Sequence, residues 1–197
     1  MESWETIHSA TGEFFYWASG DRYDGSWIDI QKTGRGGITY ASGDRYDGNW
    51  KVGEQNSRGV YTWANGKHYD GEWNDRKTTG RGISTYLNGN HYDGEWIDYK
   101  MCDRGFFTWI DGDNYEGEWK DDERTGRGVQ TDPHDNRYDG EWKGGKIFGR
   151  MVMTWTNGDR YDGETKENNV SGRGIFTRVN EIRYDGEWKD QHRNGRG

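Results

Sequence analysis

Few residues of this chain have side chains that could perform covalent chemistry, and their spacing does not favour it. The histidines are His8, His68, His91, His134 and His192. His68 and His91 are 23 residues apart, at equivalent positions where other copies of the same pattern have Arg or Asn, which indicates solvated turn residues. The single cysteine, Cys102, has no histidine near it in the sequence to activate a nucleophilic thiol. We therefore predict no catalytic residue and no enzymatic activity.

Two segments superficially resemble ligand-binding loops. Residues 111–114 (Asp-Gly-Asp-Asn) begin like a calcium loop, but the glycine at the sixth position and the glutamate at the twelfth are missing. Residues 34–37 (Gly-Arg-Gly-Gly) are not followed by the helix that a dinucleotide-binding glycine motif requires. The sequence therefore predicts no bound metal and no cofactor.

Charged residues recur at a fixed interval and remain as candidates for ligand contacts. An arginine recurs every 23 residues, at Arg35, Arg58, Arg81, Arg104, Arg127, Arg150, Arg173 and Arg196. An acidic residue recurs in step with it, at Asp24, Asp47, Asp70, Asp93, Glu116, Asp139, Asp162 and Asp185. The candidates for a phosphate-binding stripe are Arg58, Arg81, Arg104 and Arg127. We favour the interpretation that these arginines pair with acidic residues across strands or stack on rings. The net charge of −8 disfavours binding to nucleic acid or to anionic membranes.

The elements that position these residues come from one repeated pattern, Tyr-x-Gly-x-Trp. Its tyrosine recurs every 23 residues without insertion, at Tyr23, Tyr46, Tyr69, Tyr92, Tyr115, Tyr138, Tyr161 and Tyr184. Self-similarity at a fixed period of roughly 20–50 residues indicates a stacked repeat architecture. We predict a single repeat domain over residues 1–197, with a partial repeat at 1–22. Full repeats start near residues 23, 46, 69, 92, 115, 138 and 161, and an incomplete one near 184.

Each repeat contains two segments rich in Tyr, Trp, Thr and Val, which are strand formers. Residues 69–73 (Tyr-Asp-Gly-Glu-Trp) represent one segment and residues 59–63 (Gly-Val-Tyr-Thr-Trp) the other. The Asn-Gly pair at residues 65–66 is a strong hairpin signal, and the connection from Trp73 to Gly80 is longer. We predict an all-β fold, an elongated single-layer antiparallel β-meander of about eight hairpin repeats. With strands of about five residues, it should twist into a rod or trough.

Side chains alternate between the two faces of a strand, which places Tyr69, Gly71 and Trp73 on one face. The glycine leaves room for an aromatic ring to lie flat on the backbone. We predict that aromatic residues of the central repeats line a groove that binds a partner, because Tyr and Trp are typical anchors. These residues are Tyr46, Trp50, Trp63, Tyr69, Trp73, Tyr86, Tyr92, Trp96, Trp109, Tyr115 and Trp119. Whether the aromatic residues of both strands share a face depends on the turn type and stays open.

The composition is unusual for a globular core. Hydrophobic residues make up 29% of the chain, yet it contains 12 Trp and 13 Tyr. Low hydrophobicity would favour disorder, but disordered chains are poor in aromatic residues. The single cysteine allows no intramolecular disulfide, which favours a reducing compartment. We recognise no signal peptide and no apolar run long enough to span a bilayer, and we predict a cytoplasmic protein.

The pattern resembles the MORN (membrane occupation and recognition nexus) repeat. That 23-residue unit reads approximately Y-x-G-x-W-x-x-G-x-x-x-G-x-G, followed by an aromatic residue and a Gly-Asp turn. Residues 138–142 (Tyr-Asp-Gly-Glu-Trp), Gly145 and Gly149 match it most fully. The mid-repeat glycine is kept only at Gly53 and Gly145. Later in the chain, Thr165 replaces a tryptophan, and Asp132 and Arg178 replace the aromatic residue before the turn. We expect packing and any groove to weaken there.

The resemblance implies a hairpin-repeat sheet without catalysis, similar to scaffolds that hold protein partners, dimerise end to end and support cytoskeletal or membrane-junction assemblies. We therefore predict a non-enzymatic scaffold that binds a protein segment along the aromatic groove, self-associates through edge strands, or does both. A homodimer is a candidate assembly, and a cytoskeleton- or membrane-associated location is a candidate site of action. The alternative is a membrane-surface adaptor that binds phosphoinositide lipids through the arginines. Carbohydrate binding is the weakest candidate.

Overall fold

The computed structural model describes residues 4–9, 12–180 and 182–195, with side chains from residue 15 onward. Residues 1–3 of the predicted partial repeat and Arg196 of the arginine series lie outside these ranges. All regular elements of the described ranges are β-strands. The chain divides into two compact units, residues 1–100 and 101–197.

The first unit is a single antiparallel sheet in which each strand pairs with its neighbours in the sequence. Its strands are β1 (Trp4–Ser9), β2 (Gly12–Trp17), β3 (Arg22–Ile28), β4 (Gln31–Thr39), β5 (Arg45–Lys51), β6 (Glu54–Thr62), β7 (His68–Asn74), β8 (Lys77–Thr85) and β9 (His91–Ile97).

The second unit repeats this arrangement. Its strands are β10 (Lys100–Thr108), β11 (Asn114–Lys120), β12 (Glu123–Thr131), β13 (Arg137–Lys143), β14 (Lys146–Thr154), β15 (Arg160–Lys166), β16 (Asn169–Thr177), β17 (Arg183–Lys189) and β18 (His192–Asn194). The predicted all-β, single-layer antiparallel meander of hairpin repeats is confirmed in both units.

The tightest turn lies where the sequence predicts the longer connection, and that prediction is wrong. Only Asp75 and Arg76 join β7 to β8, and both have positive φ, 46° and 67°. Positive φ at both central residues is the type I′ geometry that matches strand twist. The Asn-Gly pair lies instead in a five-residue connection, residues 63–67, where Gly66 N donates to Trp63 O at 2.8 Å. The strands are therefore longer than predicted, at seven and nine residues.

The strand register settles which side chains share a face. Tyr61 lies directly opposite Tyr46 in β5 and opposite Tyr69 in β7. The aromatic residues of both strand types therefore lie on one side of the sheet, which we call the aromatic face. Burial alternates along β7, as the sequence predicts. Tyr69, Gly71 and Trp73 are buried, and the intervening Asp70 and Glu72 are exposed.

A tyrosine ring packed on two glycines is the recurring unit of the core. The ring of Tyr69 covers Gly71 and its cross-strand partner Gly82, and a Cβ atom at either glycine would overlap the ring. The Tyr69 hydroxyl donates to the carbonyl oxygen of Glu72 at 3.1 Å. The same packing occurs at Tyr23, Tyr46, Tyr115 and Tyr161.

Tryptophans join these tyrosines into a ladder within each unit. The ring centroid of Tyr46 lies 5.1 Å from that of Trp50 in its own repeat and 5.4 Å from that of Trp73 in the next, both edge to face. Trp73 Nε1 donates to the carbonyl oxygen of Gly59 at 2.9 Å. Each such aromatic pair contributes about 0.5–1.5 kcal/mol beyond its buried area. We call this core the Tyr–Trp ladder.

Two adjacent glycines in β4 provide a matched test of this packing. A Cβ at Gly36 would overlap the Tyr23 ring, whereas a Cβ at Gly37 would lie 3.7 Å from the nearest atom, an ordinary contact. We expect Gly36→Ala to lower the free energy of unfolding by about 1–3 kcal/mol, because it overpacks the core. Gly37→Ala should be neutral, or stabilising by up to about 1 kcal/mol, because alanine restricts the unfolded chain. Urea denaturation followed by tryptophan fluorescence measures both, and equal losses in the two variants would contradict the ring-on-glycine core.

Candidate functional site

The structure separates the predicted partner-binding residues into two sets. Eight of them belong to the Tyr–Trp ladder and are at most 5% exposed: Tyr46, Trp50, Tyr69, Trp73, Tyr92, Trp96, Tyr115 and Trp119. Because these rings are covered, they mainly build the aromatic face, although Trp50 and Trp73 each line a pocket of that face. The other three, Trp63, Tyr86 and Trp109, are half-buried.

In the first unit, half-buried aromatic residues stand at the end of every second strand. We call Trp17, Tyr40, Trp63 and Tyr86 the aromatic row. Tyr40, Trp63 and Tyr86 each begin a five-residue connection, and Trp17 is the last residue of β2, so all four stand at the edge of the face. In the connection that begins with Tyr40, Gly43 N donates to Tyr40 O at 2.9 Å. The sequence prediction does not include Trp17 and Tyr40 because it is restricted to the central repeats, although their 23-residue steps from Trp63 are a usable signal.

Neighbouring side chains support the rings of the row. The ring centroid of Trp63 lies 4.6 Å from that of Tyr61. Lys67 Nζ lies 4.7 Å from the ring centroids of both Trp63 and Tyr86, which places a cation between successive members. At exposed sites such cation–π contacts contribute about 0.5–1 kcal/mol each. The row is therefore a set of supported rings rather than free side chains.

Two pockets open between successive members of the row. One of about 220 Å³ lies between Trp17 and Tyr40. The next, of about 580 Å³, lies between Tyr40 and Trp63. Asp21 and Arg76 line both pockets. Tyr40 therefore divides a continuous depression into two compartments along the row.

Carboxylates are fixed at the rim of these pockets. Asp44 Oδ1 accepts a hydrogen bond from Ala64 N at 2.7 Å, and Asp44 Oδ2 accepts one from the Tyr61 hydroxyl at 3.1 Å. These donors, the Ala64 N–H above all, hold the pKa of the Asp44 carboxyl below its usual range. Asp21 Oδ1 accepts from Ala41 N at 2.8 Å. The rim thus carries fixed negative charge.

In the second unit, two departures from the repeat pattern are coupled. Met151 replaces the glycine opposite Gly140 and is buried, so the ring of Tyr138 does not cover a glycine pair. The Tyr138 hydroxyl donates instead to Asp132 Oδ2 at 3.1 Å. Asp132 occupies the position of the row aromatic, between Trp109 and Trp155. A pocket of about 450 Å³ opens beside Asp132 and Tyr138, so the equivalent row of this unit contains a polar position.

The predicted phosphate-binding arginines lie on the face opposite the aromatic face. Arg81 pairs with Asp93 at 3.6 Å and Arg127 with Glu141 at 3.3 Å, although these two arginine side chains are 72% and 87% exposed. Arg58 and Arg104 are also exposed and lie directly opposite Glu72 and Glu118 in the strand register. Such exposed pairs stabilise the fold by only about 0–1 kcal/mol. They place carboxylates next to every arginine of the candidate stripe.

The remaining candidate chemical groups are not brought together. His91 Nδ1 lies 3.3 Å from the hydroxyl of Thr85, and Cys102 is half-buried. Among the described residues, no three His, Cys, Asp or Glu side chains converge as a metal ion would require. Over the same ranges, no helix is long and apolar enough to cross a membrane.

These features define a hairpin-repeat protein whose core lies on one face of a single-layer sheet. The model of the MORN repeat family matches residues 23–45, 46–68, 69–91, 92–114, 115–133, 138–160 and 184–197. The chain belongs to the MORN-repeat family, which confirms the resemblance. The unmatched residues 161–183 form the repeat in which Thr165 replaces tryptophan, and there the Thr165 hydroxyl donates to Asn169 O at 2.9 Å.

The chain also shares its fold with solved structures of low sequence identity. The TCP domain of Drosophila melanogaster SAS-4, in complex with a proline-rich motif of Ana2, is 13% identical, with a TM-score of 0.55 over 83% of this chain and 90% of that one. The G-box domain of the microcephaly protein CPAP is 10% identical, with a TM-score of 0.51 over 93% and 97% of the two chains. No curated protein sequence matches the chain.

Burial of the ladder tyrosines predicts a specific loss of stability in alkali. Burial raises the pKa of Tyr23 and of Tyr161 from 10.0 to about 12. The pKa of these tyrosines is higher in the folded protein than in the unfolded chain. Their contribution to the free energy of unfolding is therefore fully present below pH 10 and is lost as the pH rises through about 12. We expect tyrosinate absorbance from the core to rise together with the loss of tryptophan fluorescence that reports the ladder. Complete tyrosine ionisation near pH 10 with the ladder intact would contradict this prediction.

Proposed function

We propose that the chain is a non-enzymatic scaffold whose aromatic row binds an extended segment of a partner protein. The observation that carries the proposal is the row itself, Trp17, Tyr40, Trp63 and Tyr86, whose rings are half-buried and whose first two intervals each hold a pocket. Supported Tyr and Trp side chains of this kind are the usual anchors of protein interfaces. The covered rings of the ladder hold the row in position, and two of them, Trp50 and Trp73, also line the pockets.

The shared fold supplies a precedent. The SAS-4 TCP domain is in complex with a proline-rich motif of Ana2, a protein segment. At 13% identity the likeness concerns the fold alone. It supports the proposal because a domain of the same fold accommodates a peptide.

Two further assignments stay predictions. The first is self-association through edge strands, including a homodimer, because an edge strand presents backbone groups that can pair with another chain. The second is a cytoplasmic location in association with the cytoskeleton or a membrane. Light scattering over a range of protein concentrations would measure the assembly state.

The first test replaces a ring of the row. We expect Trp63→Ala to weaken binding of peptides selected by the wild-type protein from a random display library by roughly 30-fold, the effect of losing a hot-spot anchor of about 2 kcal/mol. Trp63→Phe keeps an aromatic ring and should retain most of the affinity. The matched control is Ile83→Ala, which removes an apolar side chain that is 37% exposed on the opposite face. An equal loss in the Ile83 variant, or no loss in Trp63→Ala, would reject the row as the binding surface.

The second test addresses the lipid alternative. We expect no more co-sedimentation with phosphoinositide-containing vesicles than with neutral phosphatidylcholine vesicles, because carboxylates neighbour the arginines and the net charge is −8. The matched variant is Arg127→Gln, which should behave as the wild type does. Salt-sensitive vesicle binding that this variant loses would favour the membrane-adaptor function instead.

A further inference from the structure

The spacing of the aromatic row restricts the conformation of the segment that it can bind. Its members stand at the ends of β2, β4, β6 and β8, which are alternate strands of one sheet. Neighbouring strands lie about 4.8 Å apart, so the row repeats every ~9.6 Å. A bound segment contacts all four rings in the same way only if its own structure repeats at this interval.

Three regular peptide conformations can be compared with that interval. Polyproline II has three residues per turn and a rise of about 3.1 Å per residue, hence a period of ~9.3 Å. Over the three intervals of the row, the mismatch accumulates to only ~1 Å. Seven residues of an α-helix span ~10.5 Å, and the mismatch reaches ~3 Å. A β-strand presents the same face every two residues, at ~6.7 Å, and does not match.

The chemistry of the row also suits proline. Aromatic-lined grooves bind polyproline II segments because the ligand is already ordered and its rings pack on Tyr and Trp faces. The two pockets on either side of Tyr40 give successive turns of such a helix separate compartments. One residue in three would therefore pack against the row.

The charges beside the larger pocket specify a second property of the segment. Arg76 pairs with Glu54 at 3.3 Å, so these two charges largely neutralise each other. Asp21 and Asp44 accept hydrogen bonds from neutral donors, and within the described ranges neither forms an ion pair. Next along the row, Lys67 lies over the rings of Trp63 and Tyr86. Lys32 lines the smaller pocket, where it and Arg76 balance Asp21 and Glu54. The excess of negative charge is therefore confined to the larger pocket between Tyr40 and Trp63, whose lining carries Asp21, Asp44 and Arg76, and there it complements a basic ligand.

We infer that the aromatic row binds a basic protein segment in the polyproline II conformation, with a proline at every third residue and Lys or Arg facing Asp21 and Asp44. This inference rests on the proposed function and specifies the conformation and charge of the partner. About ten residues cover the row, because three turns of polyproline II span ~28 Å.

The test is a calorimetric titration of the protein with synthetic peptides of roughly 12 residues, which measures their affinity. The in-phase peptide repeats Pro-Lys-Ala. A control peptide has the same composition with successive prolines alternately two and four residues apart, and a second control replaces Lys with Glu. We expect the in-phase peptide to bind at least about tenfold more tightly than either control.

Two variants at the row and one control variant assign that binding to the row. Tyr40→Ala should weaken binding of the in-phase peptide by at least about tenfold, whereas Ile83→Ala should leave it unchanged. Asp44→Asn keeps the acceptor for Ala64 N and removes the charge, so it should weaken binding and reduce its salt dependence. Circular dichroism confirms that each variant is folded.

The outcomes distinguish this inference from the proposed function. Equal affinity for the in-phase and out-of-phase peptides would overturn the three-residue period, and tighter binding of the Glu peptide would overturn the charge assignment. If the in-phase peptide fails to bind while library peptides bind through Trp63, the polyproline II inference is wrong and the scaffold function stands. If no peptide of either source binds, both fail.

Discussion

The packing of one tyrosine ring on two facing glycines is the constraint on which the rest of this structure depends. A single-layer sheet has no second layer to cover its apolar side chains, so a ring must lie flat on the backbone to be removed from water. Tyr69 does this over Gly71 and Gly82, and only glycine leaves the necessary space. Trp96, the tryptophan of the following repeat, then packs edge to face against the Tyr69 ring, with the ring centroids 5.3 Å apart. Each repeat is therefore completed by its neighbour, as in other repeat proteins whose stability is a sum of nearest-neighbour terms.

The repeat around Tyr138 shows how the loss of one facing glycine alters the position of the tyrosine side chain. Because Met151 occupies the place of a glycine, the Tyr138 ring cannot lie on a glycine pair. Its hydroxyl points instead to the connection between β12 and β13. The aromatic residue that normally stands there is replaced by Asp132, which accepts the hydrogen bond of the displaced hydroxyl. Two substitutions that look unrelated in the sequence are thus a single structural rearrangement. Its effect on the surface is local, a polar position between Trp109 and Trp155 with the strand pairing preserved.

The period, the faces and the role of the glycines could be predicted from the sequence, because alternation along a strand and the size of a side chain are local properties. The turns could not, since Asp75 and Arg76 carry no turn signal and strand pairing imposes their left-handed conformation. The sequence separates the candidate row from the buried ladder only in part, for a different reason. Tyr46 and Trp63 are both aromatic residues that recur with the repeat, so the sequence does not distinguish them. The ring of Tyr46 is covered by a tryptophan from the next repeat, and that contact is visible only once the strands are in register.

The location of the aromatic row also depends on which rings are covered by their neighbours. The ladder runs along the middle of the strands, where rings such as Tyr46 and Tyr69 have neighbours on both sides and are buried, whereas the row residues at the strand ends keep part of their surface exposed. One end of the hairpins β3–β4, β5–β6 and β7–β8 is closed by a two-residue turn. At the other end, Tyr40, Trp63 and Tyr86 each begin a five-residue connection, and Trp17 ends β2 ahead of a four-residue one. The spacing of the row is therefore set by strand pairing and cannot drift, while the identity of each ring is free to vary, as Trp17 and Tyr40 show. Under the proposed function, a surface built in this way would select its partner first by the period of the partner's structure and only then by the chemistry at each position.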